Sequence, residues 1–232
     1  MVYMEKKYKL LFTIIGIIGF LYLIFVLVPI SAISVKGKIK IPDLEDVDSI
    51  MIVAHPDDES LWGGKHLLDE NYLVVCVTCG SDEKREEEFE EAMDYTNSSF
   101  ISLGYPDLTD GKKDNWNKCY NSIKKDINII LEKKSFEKIV THNPNGEYGH
   151  IHHKMVSDIV TSVSEKNKLF YFDLYYPTNY SGSNMMSEMD LMDKENILSI
   201  YKSQDWIINN HRHTIGYENF ISYEKWKKKY SK

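Results

Sequence analysis

The 232-residue chain has only three cysteines, too few and too oddly numbered for a disulfide scaffold. It lacks an excess of basic charge. Its 28 Lys and Arg stand against 35 Asp and Glu, and a formal net charge of −7 removes the electrostatic case for a nucleic-acid partner. It shows no internal repeat. No G-x-G-x-x-G follows its first strand-like run, so a nucleotide-binding reading lacks its phosphate loop. What remains is a globular composition, 43% hydrophobic and 27% charged, which excludes a disordered, collagenous or coiled-coil whole. The length suits one domain, or one domain with an appendage.

The mean hydropathy of −0.38 hides an uneven distribution. Leu10 to Val28 form a 19-residue stretch without charge, in which fifteen residues are Leu, Ile, Phe or Val. At about 1.5 Å per residue, such a helix nearly spans a hydrocarbon core of roughly 30 Å. Insertion gains at most about 9 kcal/mol, which outweighs Thr13, Gly16 and Gly19. The competing reading is a cleaved signal peptide with a weak cleavage pattern around Ala32 and Ser34. Signal-peptide apolar regions run about 7–15 residues, and this one is longer. The expectation is a basic N-terminus over 1–9, a single-pass membrane anchor over 10–30, a linker over 31–42 and a soluble domain over 43–232. Lys6, Lys7 and Lys9 precede the anchor and Lys36, Lys38 and Lys40 follow it, so charge assigns no side to the domain.

The domain alternates short apolar runs with longer amphipathic stretches. Strands are expected at 49–54, 72–78, 100–103, 136–141 and 168–174. Helices are expected at 61–70, 83–95, 116–133, 152–163 and 190–203. This alternation predicts an α/β fold with a mostly parallel sheet. From Ser181 on, the sequence is polar and poorly periodic apart from the last of those helices. In open α/β sheets, ligands bind beyond the carboxyl ends of the strands.

Two such positions carry chemistry. Ala54-His-Pro-Asp-Asp-Glu-Ser60 follows the first strand. Thr141-His-Asn-Pro-Asn-Gly-Glu-Tyr-Gly-His-Ile-His-His153 follows the fourth. Imidazole and carboxylate are the natural zinc ligands where thiolate is absent, and two His with one carboxylate leave a coordination position open, as catalytic sites do. Asp57 and Asp58 suit a division of labour, one on the metal and one facing water. His150 and His153 are spaced to share a helix face, one for metal and one for the reacting carbonyl. Either motif alone is as readily a turn or a solvated face; together, after two strands of one sheet, they are specific.

These residues resemble the LmbE-like, or PIG-L, family of zinc-dependent N-acetylglucosaminyl deacetylases, over roughly residues 48 to 175. Gly80, Arg85 with Glu88, and Leu103-Gly-Tyr-Pro-Asp107 are further similar landmarks. The resemblance implies a Rossmann-like sheet with helices on both faces. It implies His55, Asp58 and His153 as zinc ligands, with Fe(II) an alternative occupant, and Asp57 as general base. His150 would stabilise the oxyanion and protonate the leaving amine, and Tyr148 would assist. Arg85 and Asp107 are assigned to substrate binding. The implied partner is an N-acetylated amino sugar. The anchor, in contact with membrane lipid, points to a lipid-linked one such as N-acetylglucosaminyl-phosphatidylinositol, at the endoplasmic reticulum in a eukaryote. A glycan or small glycoside is the nearer rival substrate. A catalytically idle, membrane-tethered binding subunit is the rival from another class. One departure stands out: many members have Asp before the last His, where this chain has His152. That makes His152 a rival ligand.

Three lesser features stand apart from these motifs. Cys76 and Cys79, taken to lie within one strand, would fall on opposite faces and pack in the core. His211 and His213 read as surface residues. Trp62 either walls the pocket or packs.

Overall fold

The fold is seen in a computed structural model that describes residues 39–80, 82–173 and 185–230. The basic N-terminus, the expected membrane anchor and residues 31–38 of the expected linker lie outside the described residues. Among those described, no helix is long and apolar enough to cross a membrane.

Six strands form the central sheet: β1 (Ser49–Val53), β2 (Tyr72–Cys76), β3 (Ser99–Ser102), β6 (Lys138–Thr141), β7 (Leu169–Phe172) and β8 (Phe220–Ser222). Their order is β3-β2-β1-β6-β7-β8. All neighbours are parallel except β7 and β8, which run antiparallel, with Tyr171 opposite Ile221. A separate hairpin joins β4 (Leu108–Thr109) to β5 (Lys112–Lys113). The central strands are buried on both faces, which is why β1 and β2 read as unbroken apolar runs.

Alternation along β1 divides the core. Ile50 and Ile52 face one layer, with α3 (Tyr120–Leu131), α4 (Ile151–Val163) and α7 (Tyr223–Tyr230), through Ile123, Ile127, Val156, Ile159 and Trp226. Met51 and Val53 face the other, with α1 (Asp58–Asp69), α2 (Glu83–Thr96), α5 (Glu188–Leu198) and α6 (Asp205–His211), through Leu61, Phe89, Met93 and Ile197. Helices therefore cover both faces. The chain runs outward from β1 in one direction through β2 and β3, then returns to the other side of β1 with β6. That reversal opens a crevice between the carboxyl ends of β1 and β6.

Three expectations need correction. The helix expected from Trp116 begins at Tyr120, because Trp116 takes a left-handed backbone (φ 51°) and lies fully buried ahead of the helix. The helix expected to reach Ser203 ends at Leu198, and α6, β8 and α7 follow it. These pieces are three to eight residues long, too short for a period to show in sequence. Finally, Cys79 lies beyond the end of β2, so strand alternation does not separate it from Cys76. Both thiols are buried in the same apolar cluster. They remain core residues.

Candidate active site

The turn after β1 is strained. Asp57 has φ 112°, a conformation L-residues rarely take. Local bonds hold it there. Its N–H donates to Glu59 Oε2 (3.2 Å), and its carbonyl accepts from Leu61 N (2.9 Å) as the first turn of α1 begins. Glu59 is itself fixed, since its Oε1 accepts from Ser60 Oγ (2.5 Å) and from the hydroxyl of buried Tyr201 (2.6 Å). The strain splits the adjacent carboxylates. Asp58 turns back to accept from His55 N (2.8 Å). Asp57 keeps a buried Oδ2 with no hydrogen-bond partner among the described residues.

The second half of the site comes from the loop between β6 and α4. Gly146 has φ 66°, and a Cβ there would meet the carbonyl oxygen of His150 at 2.7 Å, so the tight turn that aims His150 requires glycine. His150 caps α4, its Nδ1 accepting from His152 N (3.2 Å).

Two imidazole nitrogens and one carboxylate from these two loops converge. His55 Nδ1 lies 3.1 Å from Asp58 Oδ2 and 3.3 Å from His153 Nε2, and His153 Nε2 lies 3.2 Å from Asp58 Oδ1. Ligands at zinc bond lengths of about 2.0–2.2 Å in tetrahedral array sit roughly 3.3 Å apart. The spacing, the two nitrogens with one oxygen and the burial of all three residues fit a divalent cation such as zinc or Fe(II). His150 also lies within ligand reach of His55 and His153.

Behind His153 stands Glu147, whose Oε2 bonds His153 Nδ1 (2.6 Å) and His142 Nδ1 (2.9 Å). This is the carboxylate that metal-binding imidazoles generally carry on their far nitrogen. His142 in turn accepts from Ala54 N at its Nε2 (3.0 Å) and stacks on His153 at 3.9 Å. Glu147 and His142 were present in the motif as read but carried no assigned role. Their signal was there: a carboxylate five residues from one histidine and six from another.

Burial and the neighbouring Asp58 push the Asp57 carboxyl well above its usual range, against the pull of Arg85 and His55. Burial acts the same way on Asp58, but the imidazoles of His153 and His142 win and hold it well below. The two carboxylates are thus driven apart, Asp57 toward a higher affinity for protons and Asp58 toward a lower one. Burial, then His153 and His55, push His150 down to about 2, so its imidazole is neutral. The Lys113 ammonium at the tip of β5 lies against His150 Nε2. Burial and the surrounding carboxylates raise the Tyr148 phenol, which stays protonated as a donor. Its ring is half exposed and packs near His150, His153 and His211.

Arg85 donates to Asp107 Oδ2 (3.1 Å) and to the Pro56 carbonyl (3.3 Å), bracing the β1 turn. Asp107 Oδ1 comes within 3.6 Å of His55 Nε2. All eight sequence-derived site residues therefore gather at one crevice. His211, read as a surface residue, joins them: it faces Tyr148 at 4.6 Å and Trp62 at 5.6 Å. Trp62 is buried and meets the His211 ring edge-on.

Residues 50–164 match the family described as PIG-L, GlcNAc-PI de-N-acetylase. An uncharacterized protein, L374 of Acanthamoeba polyphaga mimivirus, is 28% identical over 193 residues, covering 75% of this chain and 80% of that one. The zinc-inhibited form of teicoplanin deacetylase Orf2 superposes with a TM-score of 0.57 at 18% identity, over 72% of this chain and 88% of that chain. A 4-carboxy-2-hydroxymuconate hydratase, GalB, from Pseudomonas putida superposes at 0.53 with 13% identity, over 72% and 84%. At these identities the solved structures share the fold, and a fold alone does not fix the reaction. The family match, lying over the β1 turn and the histidine loop, does more: the chain carries a domain of the PIG-L, or LmbE-like, family.

Proposed function

We propose that the domain is a metal-dependent N-deacetylase that hydrolyses the acetamide of an N-acetylglucosamine-type sugar, releasing acetate and a free amine. The observation that carries this reading is the convergence of His55 Nδ1, Asp58 and His153 Nε2 beside a separate, proton-accepting Asp57. When bound, the cation supplies Lewis acidity, polarising a carbonyl and lowering the pKa of water to about 7. His55, Asp58 and His153 would hold it. Asp57 takes the proton of the attacking water, a task its raised affinity for protons suits. The neutral His150 and the Tyr148 hydroxyl donate hydrogen bonds to the oxygen that becomes negative in the tetrahedral stage. As the C–N bond breaks to release acetate, His150 relays the proton: its ring gives its N–H proton to the leaving amine nitrogen as it takes up the one that Asp57 removed from water. Arg85 and Asp107 shape the wall that orients the sugar.

The Leu10–Val28 stretch supports a single-pass membrane location and a lipid-linked substrate, such as N-acetylglucosaminyl-phosphatidylinositol. Purified full-length chain should release acetate and free amine from N-acetylglucosamine derivatives, fail to do so after chelation, and recover with added zinc or Fe(II). Retained metal without turnover on lipid-linked, glycan and simple glycoside substrates would instead favour a tethered binding subunit. A new hydroxyl without acetate release would favour hydratase chemistry.

A further inference from the structure

His152 lies outside the three convergent ligands, but with His55 and Asp107 it forms a second group whose ligand atoms lie close enough to hold a cation. Its ring is fully buried and stacks on Trp116 at 4.1 Å and 2°. Trp116 is itself pinned, donating from its indole to the Pro106 carbonyl (2.8 Å) and from its backbone to Asp114 Oδ1 (2.6 Å). The orientation of the His152 ring is therefore fixed by packing.

Its two nitrogens have different partners. Nε2 lies 2.6 Å from the Asp114 carbonyl oxygen. A carbonyl only accepts, so this nitrogen carries the proton. Nδ1 lies 3.0 Å from His55 Nε2 and, in the tautomer protonated at Nε2 alone, is the acceptor of that pair. Asp107 Oδ1 stands farther from both, at 3.6 Å and 3.5 Å, so the imidazole pair is the better-formed bond. His55 must place its proton on Nε2 to complete it. That leaves His55 Nδ1 bare, facing Asp58 and His153.

We infer that His152 is a positioning residue: a chain from the Asp114 carbonyl through His152 to His55 Nε2 sets the His55 tautomer that a cation requires. The two metal-facing imidazoles are thus held differently. His153 is backed by the Glu147 carboxylate, and His55 by an uncharged imidazole anchored on a backbone carbonyl. Because the site is specified by two loops, the Trp116 shelf extends it to a third.

This rests on the metal-site reading, and the test separates the two. Full-length wild type, His152→Asn and His152→Leu are compared for zinc affinity by chelator competition, for the visible spectrum of the Co(II)-substituted protein, and for urea unfolding. Leucine keeps a packed apolar group on Trp116 but accepts no proton; asparagine packs less well but offers its amide oxygen to His55. The expected result is a 10–100-fold loss of zinc affinity with an altered Co(II) spectrum in His152→Leu, and affinity within a few-fold of wild type in His152→Asn. Wild-type affinity in His152→Leu would overturn the inference. So would losses that follow unfolding stability rather than the acceptor, or a wild type that binds two zinc ions with the second lost in His152→Leu. A wild type that retains no metal would overturn the site reading itself.

Discussion

At the scale of single residues, the account turns on adjacent carboxylates given opposite tasks by one strained turn. If Asp57 is the base and not a ligand, Asp57→Ala retains metal within a few-fold of wild type while kcat falls about 10²–10⁴-fold. Metal content and acetate release on the same preparation check this. Glu147 acts one step back. Glu147→Gln keeps the shape but weakens the support of His153, and metal affinity is expected to drop about 10–100-fold. Chelator competition reads that change directly. Much at this scale was legible in sequence, because the residue types and their placement after two strands announce a metal site. Glu147 and His142 were less so. Their role depends on a left-handed backbone at Glu147 (φ 50°) that folds the carboxylate back onto two imidazoles. The orientation of Asp58 relative to Asp57 was equally hidden, since it follows from a φ of 112°.

At the scale of elements, the strands and long helices were readable within a few residues, because burial on one face imposes a period and burial on both leaves a short unbroken apolar run. The C-terminal pieces were not. They are held by tertiary bonds between distant residues. Lys194, fully buried on α5, donates to Glu218 Oε2 (2.8 Å) and to the Leu61 carbonyl (2.8 Å) of α1. Glu218 also accepts from Lys65 N, His66 N and His66 Nδ1. The segment before β8 is thereby clamped to the helix that leaves the active-site turn. Burial alone would raise the Glu218 carboxyl, but Lys194 and His66 outweigh it and hold it at about 2. A depressed carboxyl stabilises above its unfolded pKa, near 4.5, and that stability is lost as pH falls toward 2. The contribution is on the order of 3 kcal/mol. Between pH 5 and 2, wild type should lose stability faster than Glu218→Gln. At neutral pH Glu218→Ala should cost about 3–5 kcal/mol, by leaving Lys194 buried and unpaired. Urea unfolding across that pH range measures both.

At the scale of the whole molecule, the sheet order places the two ligand-bearing loops at a single reversal of the fold, so residues nearly a hundred positions apart meet. A cation held across that junction ties β1 to β6 in the native state only. At free metal one hundred times the dissociation constant, binding adds about 2.7 kcal/mol. For a domain of this size, chelation should then lower the thermal midpoint by roughly 5–10 °C. An unchanged midpoint on removing bound metal would mean that the cation does not bridge the two loops.

The central claim is most directly tested by anomalous diffraction at the zinc edge from crystals of metal-loaded protein. The account predicts one peak bonded to His55 Nδ1, His153 Nε2 and an Asp58 oxygen, each at about 2.0–2.2 Å, with Asp57 uncoordinated. A peak that omits any of those three residues, or one bound by Asp57 in place of Asp58, would contradict it.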